Sequence, residues 1–473
     1  MAGLLVATAL VAALLLVHFS LRRQPMPAAR PLDVDCGLPL PEVGQASTVF
    51  SLTALFGAYL GIHLLLGLPA LLGLAAGTVL SLLRIRSWIA KTEATSFDGF
   101  LFQFLGPNHG NATALAIGLS AIQCAYAASE LLILKDILDL CLGLRSDHAT
   151  LLVVALGVIA YFYVLFGGYM AVFRTDVLQF ALVMGMAALA FTLALSDGTL
   201  AFTASGLVPR SSYWELPFAA GRYLLYLYHF ALGLVMGFGF LLASPDAWKR
   251  VFLVSAAHRK QRTRFVIFAA IGAAPFLVLV PLAAWSVRIP DGQLRIDQMW
   301  SGTLASDTLF VVTSLALIAS FLSAFNGAIL ASVHVGLVLR RRITEVPSEL
   351  SRFHWLMVVT LLTVFFLFAA MRSMSNPYLL ANILMGPYAS VGGVLVGANG
   401  RVELLADRSL VWFLVVGSVG WFIYLVATVG IPSLPTTYQV NTVPGGVLLF
   451  IVSAVLCWVH TATGAHRARH RNS

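Results

Sequence analysis

Between Arg408 and Arg467 the chain runs for 58 residues without a single Asp, Glu, Lys or Arg, and between Glu42 and Arg84 it does so for 41. A bilayer crossing by a helix takes about 20 apolar residues, so each run holds two crossings with a turn between them. Composition points the same way. Of the 473 residues 59% are hydrophobic and 10% are charged, whereas soluble chains are about one quarter charged. Too little charge is present to cover the surface of the two or three soluble domains that such a length would otherwise form. Membrane-spanning strands alternate apolar and polar residues, which these runs do not. The sequence therefore predicts an all-α polytopic membrane protein.

Hydrophobic runs broken by charge or by Pro/Gly clusters give about thirteen spans: 2–20, 48–66, 69–85, 111–134, 149–166, 176–196, 217–243, 264–286, 307–338, 353–371, 377–398, 409–430 and 445–463. The turns between them are short, and no linker marks off a soluble domain. One membrane domain is expected.

Basic residues stay on the cytoplasmic side of a membrane protein. With thirteen alternating spans and the N-terminus outside, 22 of the 29 Lys and Arg residues fall in inside loops, among them Arg84, Arg86, Arg174, Lys249, Arg250 and the Arg340-Arg341-Arg342 run. Lys135, Arg145, Arg210, Arg222, Arg288, Arg295 and Arg372 are left thinly spread outside. This predicts a multi-pass protein of the plasma (cell inner) membrane with its N-terminus out and its C-terminus in the cytoplasm. The net charge of +9 is then a topology signal with membrane lipid headgroups as its contact, and no nucleic-acid partner is expected.

Residues 2–20 resemble a signal-peptide core, but Arg22 and Arg23 follow rather than precede them, as in an uncleaved first span. Cys36, Cys124, Cys141 and Cys457 show no CxxC spacing, so neither a disulfide framework nor a Cys-based metal site is expected. Asn111-Ala-Thr fits the glycosylation acceptor pattern but falls at the inner end of a span. HExxH, GxSxG and paired intramembrane Asp motifs are absent, which argues against an enzyme.

One segment is specific. Gly167-Gly168-Tyr-Met-Ala171-Val172-Phe-Arg174-Thr175-Asp176-Val-Leu-Gln179 lies between the fifth and sixth spans. It resembles the Gly-Gly-x-x-Ala-Val-x-x-Thr-Asp-x-x-Gln signature of the sodium:solute symporter family, which includes the proline, pantothenate and sugar symporters. Read for local structure alone, the same residues are a Gly-Gly turn into a helix capped by Thr175 or Asp176. Other segments extend the resemblance. Ser244-Pro245-Asp246-Ala247-Trp248-Lys249-Arg250 is similar to the family's loop after the seventh span, Ala319-Ser320-Phe-Leu-Ser323-Ala-Phe-Asn326 to its hydroxyl-bearing ninth span, and Gly67-Leu68-Pro69 to the proline branch.

The resemblance implies a LeuT-like 5+5 inverted repeat. Its repeats would cover 48–196 and 217–398, with one extra helix at 2–20 and two at 409–463. The first helix of each repeat should be interrupted, at Gly57, Gly61, Gly67 and Pro69 and at Gly233, Gly237 and Gly239. Unwound carbonyls paired with hydroxyls suit a sodium ion. By the resemblance, sodium as coupling ion would be held by the carbonyls of Gly57, Leu60 and Ala316 and by the side chains at 319 and 320, with Asp176 at an inner cation site or release path. Two departures stand out. Ala319-Ser320 has one hydroxyl where the family commonly has two, and Tyr59 replaces the proline branch's carboxylate.

Polar residues inside spans default to functional hypotheses. Gln123 and Glu130, seven apart on one face, join Tyr59, His63, Tyr226 and His229 as candidate substrate-binding residues. Each has a plainer reading: an ion pair of Glu130 with Lys135 or Arg145, a packed His63, aromatic anchoring at the membrane surface for Tyr223 and its neighbours, and helix stitching by Asn326. The function expected is cation-coupled symport of a small organic solute by alternating access. The other readings are a non-transporting symporter-like receptor, or a transporter coupled to protons or to no ion.

Overall fold

The structure, a computed structural model, describes residues 64–92, 94, 97–104, 109–142, 145–160, 172, 175–177, 179–181, 184–185, 188, 222–257, 265–274, 318–319, 321–333, 335–336, 357–367, 378–399, 416–417, 419–420, 423 and 437–471. Every regular element among the described residues is an α-helix. They are α1 (Leu64–Ala90), α2 (Phe97–Phe104), α3 (His109–Leu142), α4 (Ser146–Ala160), α5 (Arg222–Leu242), α6 (Pro245–Ala257), α7 (Phe265–Ala274), α8 (Phe321–Val333), α9 (Met357–Leu367), α10 (Tyr378–Gly397) and α11 (Thr437–Arg471). Among the described residues, Leu72–Ala90, Ala116–Lys135 and Gly446–Thr463 are helical stretches long and apolar enough to cross a membrane, and the bent pair α5 and α6 adds a fourth.

Leu151, Phe365 and Trp458 are 69%, 65% and 63% exposed, on faces of α4, α9 and α11 rich in Leu, Ile and Val. Water would penalise such patches, whereas lipid is their natural solvent. The chain is a multi-pass membrane protein.

It divides into two compact units, each assembled from segments far apart in sequence. One draws on Met1–Ala75, Glu130–Gly233 and Ala270–Gly327, the other on Ala76–Ser129, Leu234–Ala269 and Ala328–Ser473.

In the second unit, helices approach through glycine. A Cβ on Gly392 of α10 would lie 2.6 Å from the Gly239 carbonyl oxygen of α5. Gly393 and Gly397, a small-xxx-small pair, lie directly against the Phe450 and Ala454 carbonyls of α11. Without a hydrophobic drive between helices in lipid, such close approach supplies the packing energy.

Two expected helix boundaries are corrected. The turn at Gly67-Leu68-Pro69, placed between spans 48–66 and 69–85, does not exist, because α1 passes through it with Pro69 inside. Proline near a helix start costs one backbone bond, which a membrane helix tolerates. Likewise, α5 runs unbroken through Gly233, Gly237 and Gly239. The chain instead turns by 78° between α5 and α6.

Ser244-Pro245 makes that turn. Pro245 lacks the N–H that would continue α5 and fits the first position of a new helix. Ser244 caps α6 by accepting from the Ala247 N–H at 3.5 Å. Trp248 Nε1 donates to the Leu242 carbonyl at 2.8 Å, which satisfies one of the carbonyls left at the end of α5.

Several helix ends meet in this unit. Arg84 near the end of α1 donates to Asn399 Oδ1 at 2.5 Å. Asn399 follows α10 with φ of 53°, a left-handed C-terminal cap. Arg86 lies 4.5 Å over the Phe265 ring at the start of α7, and Lys249 of α6 lies 4.7 Å over Phe97 of α2. Trp88, Phe97, Phe100, Phe104, Trp248 and Phe252 form a continuous aromatic cluster, with Lys249 over its Phe97.

Candidate functional site

In the first unit the motif's carboxylate meets the ninth span. Ser323 Oγ donates to Asp176 Oδ1 at 2.5 Å across 147 positions of sequence. Both residues are fully buried, at 0% exposure. A carboxyl group is costly to bury unless its oxygens are satisfied, so this pair is a deliberate feature of the interior.

Asp176 is not a helix cap. Val172 is itself helical, and Thr175 Oγ1 donates back to the Val172 carbonyl at 2.9 Å. A hydroxyl makes that bond inside a helix, not at a cap. The capping reading of Thr175 and Asp176 is therefore replaced by a contact between helices.

Three residues beyond each member of the pair in sequence stands a further buried amide. Gln179 and Asn326 are 5% and 4% exposed, and neither Gln179 Oε1 nor Asn326 Oδ1 has a hydrogen-bond partner among the described residues. Ala319, the position of the missing hydroxyl, is helical and 3% exposed. One acidic oxygen pair, a hydroxyl and neutral amide oxygens make a donor set suited to a hard monovalent cation. The residues present fit such an ion.

A second polar centre lies in the other unit. Gln123 Nε2 of α3 donates to the Tyr388 hydroxyl of α10 at 3.0 Å. Phe240 of α5 stacks on Tyr388 at 4.2 Å between ring centroids with 25° between planes. Tyr126 presents its edge to both rings, at 5.9 Å and 6.2 Å. Beside them Val235, Met236, Gly239 and Phe450 complete a small apolar cleft of about 30 Å³.

Of the sequence-predicted residues, Asp176 is bonded in the first centre and Gln123 in the second, while Val172, Thr175, Gln179 and Ala319 are helical and buried. Glu130 and His229 are buried in the first unit, at 1% and 4% exposure, with the His229 ring 5.4 Å from that of Tyr228. Tyr226 lies on α5, its side chain outside the described residues, as are Gly57, Tyr59, Leu60, His63, Gly167, Gly168, Ala171, Ala316 and Ser320. Sequence reasoning missed Phe240 and Tyr388. The signal available was Gly386-Pro387-Tyr388, a hydroxyl beside a helix-disturbing pair within an apolar run.

No family model and no curated protein matches this chain. Its fold does have solved counterparts. A Na⁺-coupled sialic acid symporter, in a substrate-bound outward-open state, superposes with a TM-score of 0.66 at 16% identity, covering 96% of this chain and 98% of that one. Mhp1, a nucleobase-cation-symport-1 family transporter in a closed conformation with bromovinylhydantoin bound, superposes at 0.51 with 12% identity, covering 88% and 92%. The chain has the helical, LeuT-like architecture of these transporters.

Proposed function

We propose that this chain is a secondary active transporter, and not an enzyme, that couples a cation, sodium, to the uptake of a small organic solute by alternating access. The observation carrying this reading is the buried Asp176–Ser323 bond. It joins the carboxylate of a symporter-like motif to the helix from which the resemblance expects hydroxyl ligands. The likeness in fold to a Na⁺-coupled symporter supports it.

In this reading Asp176 and Ser323 hold the cation on its route to the cytoplasm. The solute binds near Gln123, Tyr126, Phe240 and Tyr388, where an amide and a hydroxyl stand among aromatic rings. The inverted repeats cover 48–196 and 217–398, and the N-terminus lies outside. Cation and solute binding are reciprocally coupled, so each raises the affinity for the other by the same factor.

The test is uptake from a panel of solutes into proteoliposomes, under an imposed sodium gradient or an imposed proton gradient. Sodium-driven accumulation of one solute is expected. Uptake that follows protons and ignores sodium would overturn the ion assignment, and no movement of any solute would favour a receptor.

A further inference from the structure

Ala319 leaves the ion site of the resemblance one hydroxyl short, and helix geometry around the Asp176–Ser323 bond indicates what stands across from it. Ala319 and Ser323 are four apart on one helix and share a face. That face is turned to Asp176 by the 2.5 Å bond from Ser323. On the facing helix Gln179, three residues beyond Asp176, lies on the same side as that carboxylate.

Direction decides what Gln179 meets. Arg174 stands just before Asp176, while Arg340-Arg341-Arg342 follow the helix that carries Ser323. Basic clusters lie on the cytoplasmic side, so one helix starts there and the other ends there, and the two are antiparallel. Three residues forward from Asp176 therefore correspond to three or four residues back from Ser323, which is the level of Ala319. Asn326 falls on the other side of the contact, toward the cytoplasm. The two buried amides thus lie apart, in keeping with neither amide oxygen having a partner.

A buried carbonyl oxygen without a donor costs about 1–3 kcal/mol and calls for a reason. Amide oxygens are ordinary ligands for hard cations, glutamine reaches one methylene further than aspartate, and alanine at 319 fills less of the space at its level than a hydroxyl-bearing residue would. We propose that in this chain, where Ala319 offers no hydroxyl, the signature residue Gln179 turns its Oε1 to the cation in that hydroxyl's stead and completes the oxygen shell of the coupling cation. The inference rests on the sodium-coupled reading above.

The test is the thermal unfolding midpoint of the full-length chain in nanodiscs, titrated with NaCl against choline chloride at constant ionic strength. Sodium should stabilise the wild-type chain. Gln179→Met, similar in size but without the oxygen, should raise the half-maximal sodium concentration about tenfold, the loss of roughly one good ligand. Adding Ala319→Ser in that background should recover most of the loss, and should tighten sodium binding several-fold more than the same substitution does alone. Equal sodium responses of Gln179→Met and wild type, or equal effects of Ala319→Ser in both backgrounds, overturn the inference and leave sodium coupling standing. A wild-type chain indifferent to sodium overturns both. If Gln179→Met does not fold, Gln179→Asn keeps the amide but withdraws its oxygen by one methylene; a weakened sodium response supports the inference, and an unchanged one overturns it.

Discussion

Ser323 donates its hydroxyl proton to Asp176 at 2.5 Å, fully buried, across 147 residues of sequence. A hydrogen bond to an acidic group inside protein is among the stronger ones, at about 1.5–3 kcal/mol when the group is charged. It ties the carboxylate of a symporter-like motif to the ninth span as well as fastening two helices.

Asp176→Asn and Ser323→Ala separate the two roles. If the pair serves the cation, sodium-driven uptake per folded molecule should fall about tenfold or more, because at least one ligand worth about 1.4 kcal/mol is lost. The unfolding midpoint in sodium-free buffer should move by only a few degrees. If the pair only joins helices, the midpoint falls and uptake per folded molecule is unchanged. Proteoliposome uptake normalised to folded protein, with thermal unfolding beside it, tells these apart.

The Gln123–Tyr388 bond gives a second expectation. Tyr388→Phe removes the acceptor at 3.0 Å yet keeps the ring that stacks on Phe240. Polar pairs between membrane helices are worth about 0.6 kcal/mol on average and at most about 1.7. Stability should therefore change little, while the KM for solute rises several-fold and the maximal rate changes less. Gln123→Leu should do the same, and the double variant should cost less than the two added together. Additive effects on KM would place the residues in separate sites.

Much of the helical layout was legible because lipid demands long apolar runs: α3, α5, α10 and α11 all overlap spans drawn from charge and hydropathy. Their ends were less so. Pro69, expected at a break, lies inside α1, while α5 runs unbroken through Gly233, Gly237 and Gly239, the last of which packs against Phe450 and Gly392. The 78° turn falls at Ser244-Pro245, a segment the sequence presents only through its likeness to the family's loop. For the site, the motif pointed to Asp176. It did not supply Ser323 as partner, nor Tyr388 as partner of Gln123, since contacts 147 and 265 residues apart leave no local pattern.

Close packing of α10 on α11 should be sensitive to any side chain at Gly397. A Cβ there would also lie 2.7 Å from Cys457 Cβ and 3.0 Å from the Trp458 nitrogen, and backbone cannot yield as a side-chain tip can. Gly397→Leu should cost more than the roughly 1–3 kcal/mol of ordinary overpacking. The check is the fraction of monodisperse protein on size exclusion in detergent. A variant that runs and unfolds like wild type would mean that the helices separate freely at this point.

The Asp246–Arg250 pair carries the last expectation. The two are one helical turn apart in α6, bonded at 2.9 Å, with side chains 4% and 0% exposed. Asp246 also sits in the first turn of α6, where the helix dipole favours a negative charge. Arg250→Met leaves that carboxylate buried without its cation, at a cost of about 3–5 kcal/mol. Replacing both, as Asp246→Asn with Arg250→Met, removes the stranded charge and should recover much of the loss. Thermal unfolding in detergent should therefore rank wild type, then the double variant, then Arg250→Met alone. If the double variant is no better than Arg250→Met, the stranded charge is not the cause, and Arg250 acts through its other buried contacts.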